Sequence, residues 1–320
     1  MADLPLVPPP GSLPPSELDP QVAGPLLELV GRLPPDPAPP RVERPPNVRP
    51  APNRAFWLSF LRRLRQRRSV ILGYHGVADC PLSLDLSRLQ VAPVQFERQI
   101  ELLFKAGFRF MTMSEAADEL GSGRPRPGIA VVTFDDGLRN NYTTALPILS
   151  RLGIRATVYV ACNFIGGYNP WVSPGGGGEM LGEEDIQALA ASGWEIGAHT
   201  LSHPDMASLD YEQCRAEIEA SRRRLETIIG STVDTFAYPF GLYGTEAVRA
   251  VRDAGMRAAV TTGSGIWDRL ELTRAMVSNG DPYAIVALKM LDGYAPLLRT
   301  PPLRAARAMS LSARGALRAR

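Results

Sequence analysis

Five residues of this 320-residue chain have the types and spacing for metal-centred hydrolysis: His75, His199, His203, Asp135 and Asp136. Imidazoles and carboxylates hold divalent cations at neutral pH and carry protons during hydrolysis. In His199-Thr200-Leu201-Ser202-His203, a spacing of four brings two imidazoles to one side wherever the segment turns helically. Asp135-Asp136-Gly137 directly follows the apolar run Ile129-Ala130-Val131-Val132-Thr133-Phe134. Each motif alone is weak, because His-x-x-x-His recurs by coincidence and Asp-Gly after a strand often only makes a turn. Together, two histidines and one aspartate form a three-ligand set that leaves a position open for water on zinc. Adjacent residues at a strand exit point in different directions, so one aspartate can ligate while its neighbour stands beside that water. The pattern predicts a single metal-centred hydrolytic site.

The elements that must position these residues are strands alternating with helices. Strand-like runs fall near 69–74, 108–112, 129–134, 156–162, 194–199, 235–239, 258–262 and 272–277. Between them lie helical patterns: Gln95 to Phe104, stopping at Gly107; Glu183 to Ser192, stopping at Gly193; Asp210 to Ile229, stopping at Gly230; and Glu246 to Ala254, stopping at Gly255. Asp210 is placed to cap the longest of these, and Gly230 stands where a left-handed C-cap belongs. Nearly continuous apolar strands spaced by helices predict an α/β fold with a parallel sheet, and seven or eight such units suffice to close a barrel. Chemistry in such barrels sits at the C-terminal strand ends. His75, Asp135, Asp136 and His199 all lie at strand exits, with His203 in the following loop.

Three segments carry a family resemblance: Thr133-Phe134-Asp135-Asp136-Gly137, His199-Thr200-Leu201-Ser202-His203 and Phe236-Ala237-Tyr238-Pro239-Phe240-Gly241. In this order they resemble the motifs of the polysaccharide deacetylases (NodB-homology domains, carbohydrate esterase family 4), over roughly residues 69 to 280. The resemblance implies a distorted (β/α) barrel of seven or eight mostly parallel strands. It also implies metal-dependent removal of N-acetyl, sometimes O-acetyl, groups from sugars. It assigns Asp135 as general base, Asp136, His199 and His203 as metal ligands, and the Phe240 backbone N–H as oxyanion donor. One divalent ion is implied, zinc first, with cobalt, nickel or iron as alternatives.

The chain departs from the commonest family pattern at two points. Ala237 stands where an arginine often orients the base, and no histidine follows His203 to serve as the acid. Tyr74-His75 resembles the poly-N-acetylglucosamine deacetylase branch, whose permuted motif order takes the acid histidine from the first strand. Arg274 resembles a late-strand arginine of that branch that would orient Asp135; a plain exposed arginine is the other reading. Tyr238 is expected to face substrate. In the glycine-rich loop from Gly166 to Gly182, Trp171 or Tyr168 offers a flat surface to a sugar ring, or the loop is a plain connector. The expected partner is an N-acetylated polysaccharide, oligosaccharide or glycoconjugate. The competing reading is a non-catalytic metal- and glycan-binding barrel acting as an interaction protein.

Composition bounds the rest. With 45% hydrophobic and 21% charged residues and a net charge of +2, the chain is not built to coat nucleic acid. Residues 1–54 hold 17 of the 30 prolines and are expected to form a disordered arm. Residues 55–68 form a basic amphipathic segment, 69–298 the barrel and 299–320 an Arg-rich tail. Segment 56–68 or the tail offers peripheral contact with an anionic membrane. The three cysteines, Cys80, Cys162 and Cys214, form neither a disulfide framework nor a zinc-knuckle spacing. Neither a signal peptide nor a transmembrane stretch is present, so a cytoplasmic or inner-face peripheral location is expected. Oligomeric state is not set by the sequence.

Overall fold

A computed structural model describes residues 54–121, 126–172, 175–263 and 266–290. The Pro-rich arm and the Arg-rich tail lie outside the described residues. Strand β1 (Val70–Tyr74) pairs in parallel along its length with β5 (Ile129–Phe134), from Val70 opposite Ala130 to Tyr74 opposite Phe134. The order then runs through β6 (Thr157–Val160), β7 (Glu195–Ala198), β8 (Thr235–Ala237), β9 (Ala258–Thr262) and β10 (Leu272–Met276). Strand β10 returns to β1 with Leu72 opposite Ala275, which closes a ring of seven parallel strands.

An eighth strand, β4 (Arg109–Met111), distorts the ring. It pairs with the first residues of β5, whereas β6 reaches only the last two, Thr133 and Phe134. The eight apolar runs therefore all become strands, and β5 and β9 keep the expected bounds. A short parallel pair, β2 (Gly76–Val77) with β3 (Gln90–Val91), has no counterpart in the sequence pattern, because two residues carry no periodicity.

Strand alternation builds two apolar layers. Ile71, Ile129, Val131, Tyr159, Ala237, Val260 and Leu272 make one buried cluster, joined by Met113, Ala116, Ala117 and Leu120 of helix α3 (Met113–Leu120). Helix α3 starts against the beginnings of β6 and β7: the Met113 N–H donates to Thr157 Oγ1 at 2.9 Å and the Ser114 N–H to Glu195 Oε2 at 2.9 Å. It therefore stops the N-terminal end of the barrel and leaves the opposite end for chemistry. The alternate strand residues, among them Leu72, Val132, Phe134, Val158, Ile196 and Phe236, belong to the larger cluster. That cluster includes residues of α2 (Pro93–Ala106), α5 (Glu183–Ala191), α6 (Tyr211–Ile229) and α7 (Thr245–Asp253). Helix α4 (Leu146–Ser150) adds Ile148 and Leu149.

Helix α6 obeys its sequence signals. Asp210 accepts the Gln213 N–H at 2.9 Å, and Gly230 closes the helix at φ 69°. The basic segment forms α1 (Arg54–Arg65), which buries Leu61 and Leu64 and leaves Arg62 and Arg63 exposed. Its Trp57 ring lies 6.4 Å from that of Tyr283 on α8 (Tyr283–Met290). Among the described residues no helix is long and apolar enough to cross a membrane.

Candidate active site

Asp136, His199 and His203 converge at the C-terminal mouth of the barrel, and all three are buried. Asp136 Oδ1 lies 3.5 Å from His199 Nε2 and 3.4 Å from His203 Nε2, and the two Nε2 atoms are 3.2 Å apart. Three donors about 2.1 Å from a tetrahedral ion stand roughly 3.4 Å from one another, so this triangle has the size zinc requires. The tautomer agrees. His199 Nδ1 lies 2.7 Å from the Ala237 carbonyl, so it carries the proton and Nε2 turns its lone pair to the cluster. Lone pairs and a carboxylate oxygen at such distances repel unless a cation or proton stands among them. Burial works against ionising Asp136, yet the two imidazoles beside it hold its carboxyl well below the usual range. Burial lowers the His203 pKa, whereas at His199 the adjacent carboxylates outweigh burial and raise it.

Asp135, next along the chain, turns to a different partner. Arg274 Nη1 donates to Asp135 Oδ1 at 2.6 Å and Nη2 to Oδ2 at 2.7 Å, a two-pronged pair inside the barrel. Arg274 also donates to Thr133 Oγ1 at 3.0 Å and to the Thr261 carbonyl at 3.3 Å. Its guanidinium carbon lies 5.6 Å from the centroid of the Tyr159 ring. Burial opposes ionisation of Asp135, but the Arg274 charge prevails and keeps its pKa below the ordinary value. Asp135 is thus an ionised acceptor beside the candidate metal set without belonging to it. Ala237 carries no guanidinium into the barrel interior, and the one beside Asp135 comes from Arg274 on β10.

Backbone strain gathers at the same place. Of the five non-glycine residues with positive φ among those described, four are Asp136 (71°), Thr200 (65°), His203 (60°) and Phe240 (58°). The Phe240 ring meets His203 edge-on with centroids 4.6 Å apart, so its backbone borders the triad. His75 is half-buried at the exit of β1, near both Asp135 and Asp136. The Asn141 amide donates to the His75 carbonyl at 2.8 Å, and Asn140 Oδ1 accepts the Val77 N–H at 3.0 Å. Trp171 stacks on His203 with centroids 4.4 Å apart, so one of its faces is already taken. Tyr168 of the same loop is 42% exposed.

Tyr238, expected to face substrate, does not. Alternation along β8 points Ala237 into the barrel and Tyr238 away from it. The Tyr238 ring is fully buried against Tyr243, and its hydroxyl donates to the Leu270 carbonyl at 3.0 Å. Cys162 lies at the exit of β6 but is fully buried with its Sγ 3.5 Å from the Ser221 carbonyl of α6, and burial pushes its thiol up to about 12.

Two further residues shape the site without having stood out in the sequence. Asn169 is buried and touches Asp136. Glu217, on α6, accepts the N–H groups of Leu201 and Ser202, both at 2.8 Å, in the segment between the two histidines. An asparagine in a glycine-rich loop and a glutamate on an amphipathic helix are both ordinary, so spacing gave no signal for either.

The chain and its fold are similar to those of known proteins. Residues 122–259 match the family model of the polysaccharide deacetylases. This part of the barrel is similar to the polysaccharide deacetylase domains of the NodB-homology, carbohydrate esterase family 4 type. Bacillus subtilis (strain 168) YxkH, named for the polysaccharide deacetylases, is 28% identical over 215 residues, covering 66% of this chain and 71% of that protein. The poly-β-1,6-N-acetyl-D-glucosamine N-deacetylase of Staphylococcus aureus is 22% identical over 212 residues, covering 60% of this chain and 71% of its own. IcaB from Ammonifex degensii shares the fold with a TM-score of 0.59 at 24% identity, over 70% of this chain and 97% of that one. The deacetylase PplD of Streptococcus pyogenes, solved with acetate, has a TM-score of 0.59 at 22% identity, over 69% and 97%.

Proposed function

We propose that this protein hydrolyses N-acetyl groups from amino-sugar glycans at a divalent metal centre held by Asp136, His199 and His203. The observation that carries this reading is the division of labour between two consecutive carboxylates. Asp136 closes a 3.2–3.5 Å triangle with two imidazoles, and Asp135 is held ionised by Arg274. The S. aureus relative, named as a poly-β-1,6-N-acetyl-D-glucosamine N-deacetylase, supports an N-acetylglucosamine polymer as the substrate class.

When bound there, a divalent ion, zinc first, supplies Lewis acidity to the acetamide oxygen and to a water molecule. Asp135 accepts the proton that this water loses as its oxygen joins the carbonyl carbon. The bidentate grip of Arg274 fixes which way the Asp135 lone pairs point. The Phe240 N–H donates to the oxygen on which negative charge develops. His75, across the mouth, delivers a proton to the sugar nitrogen as the C–N bond breaks, and acetate and a free amino sugar leave. Tyr168 and the rim of the 166–182 loop line the side on which the sugar enters. Acetate release from N-acetylglucosamine oligomers, with and without a chelator, is the direct test. The reading requires release that chelation abolishes and zinc restores; no release from any oligomer length refutes it.

A further inference from the structure

We infer that Asn169 is a positioning residue of the metal centre, one that selects which oxygen of Asp136 faces the ion. Asn169 lies in the loop after β6 and is 1% exposed. Its side-chain Oδ1 accepts the Trp171 N–H at 3.0 Å, which fixes the amide orientation. The Nδ2 group is thereby left to donate to Asp136 Oδ2 at 3.0 Å. One carboxylate oxygen is engaged by the amide, and the other, Oδ1, faces both histidines. A carboxylate free at both oxygens could rotate about its last torsion, whose preference is broad. With Oδ2 held, that rotation is blocked and Asp136 presents a single oxygen to the ion.

The same loop bears on a second ligand. Two residues beyond Asn169, the Trp171 ring stacks on His203 at 4.4 Å. Asn169 sets the backbone of Trp171 through the hydrogen bond to its N–H, so one amide links the orientation of Asp136 to the loop that covers His203. Groups that orient metal ligands typically govern about 10- to 100-fold in metal affinity. The loop from Gly166 therefore belongs to the metal centre as well as to the sugar side of the mouth.

This inference rests on Asp136, His199 and His203 being the ligands, and zinc titration of the chelator-stripped full chain tests the two separately. Calorimetry, with a competing chromophoric chelator for tight binding, is run on the natural protein and on His199→Ala, Asn169→Ala and Asn169→Asp. Asn169→Asp keeps the acceptor for the Trp171 N–H and replaces the donor to Asp136 with a carboxylate oxygen, whose charge repels the Asp136 carboxylate. It therefore decides the matter if Asn169→Ala fails to fold. The expected result is one zinc site that His199→Ala abolishes and that both Asn169 variants weaken about 10- to 100-fold, with each stripped protein still unfolding cooperatively. Zinc affinity within about twofold of the natural protein in a folded Asn169 variant overturns the inference alone. Zinc binding unaffected by His199→Ala overturns the ligand assignment and the inference with it.

Discussion

Arg274 and Asp135, 139 residues apart in sequence, form a buried two-pronged ion pair in which each terminal guanidinium nitrogen meets its own carboxylate oxygen, at 2.6 and 2.7 Å. Breaking a buried pair from one side leaves a charge without a partner, which typically costs about 3–5 kcal/mol. Arg274→Met is therefore expected to lower the unfolding free energy by about that amount and to remove turnover. Arg274→Lys keeps the charge but loses the fork, and is expected to retain stability better than turnover. Urea denaturation beside acetate-release kinetics reads both. A stable, fully active Arg274→Met would show that Asp135 does not depend on this arginine.

The consecutive aspartates should separate cleanly by substitution. Asp135→Asn is expected to remove turnover and leave zinc bound, because Asp135 lies outside the 3.2–3.5 Å triangle. Asp136→Asn is expected to lose both, since it removes the only carboxylate of the ligand set. Metal analysis after dialysis, run beside the assay, distinguishes the two; zinc lost equally from both variants would merge their roles.

His75→Ala should cut turnover by about 10²- to 10⁴-fold, the usual range for a general acid, while fold and zinc content stay intact. Leaving groups that need no proton sharpen the test. An activated acetate ester should be hydrolysed almost as fast by His75→Ala as by the natural protein. An equal rate loss on amide and ester would point to a role in holding the mouth together.

How much of this was legible beforehand follows from what each feature depends on. Strands β5 and β9 were readable to the residue because they are covered on both faces and run continuously apolar. Asp135 and Asp136 follow at once, since a strand exit fixes where they lie. The wedge made by β4 was not legible: only its register against the start of β5 separates it from the ring. Arg274 was suggested by family resemblance, and its partner follows from β1 sitting between β5 and β10. The motif resemblance does not carry the alternation of β8, which turns Ala237 inward and Tyr238 outward. Asn169 carries no signal, because asparagine is an ordinary turn residue in a glycine-rich loop.

Glu195 lies at the other end of the barrel, far along β7 from the metal ligands, and carries its own pH dependence. Burial raises its pKa, only partly offset by hydrogen bonds from Thr235, the Ser114 N–H and Thr157. The folded state thus holds the Glu195 proton more tightly than the unfolded chain does. Its contribution favours folding at low pH and is lost as pH rises from the ordinary carboxylate value through the raised one. Glu195→Gln does not titrate, so its stability relative to the natural protein should improve with pH across that window. The gain is about 1.4 kcal/mol for each unit by which the folded pKa is raised. Urea unfolding of both proteins between acidic and neutral pH gives the difference directly. A difference that stays flat, or slopes the other way, would mean that burial does not raise the Glu195 pKa.

Glu217 bears on the segment that carries both histidines. Thr200 and His203 are held in left-handed conformations at φ 65° and 60°, each costing of order 1–3 kcal/mol unless the surroundings impose it. Between them the Glu217 carboxylate accepts the Leu201 and Ser202 N–H groups at 2.8 Å and the Ser202 hydroxyl at 2.6 Å. On the other side, Thr200 Oγ1 accepts the His203 N–H at 3.0 Å, and the Asn163 N–H donates to the Leu201 carbonyl at 2.8 Å. Glu217→Ala removes one of these two anchors, so the loop should sample conformations that part the imidazoles. Zinc affinity should then fall by about tenfold or more, while global stability, because Ser202 is exposed to water, should drop by only about 1 kcal/mol. Glu217→Gln is expected to recover most of the affinity, since its amide oxygen can accept both N–H groups and its amide nitrogen can donate to Ser202. Hydrogen exchange at Leu201 and Ser202 reports the same event without the metal: faster in the alanine variant, near normal in the glutamine variant. Unchanged exchange and affinity in Glu217→Ala would leave the strained histidine loop held by its β6 side alone.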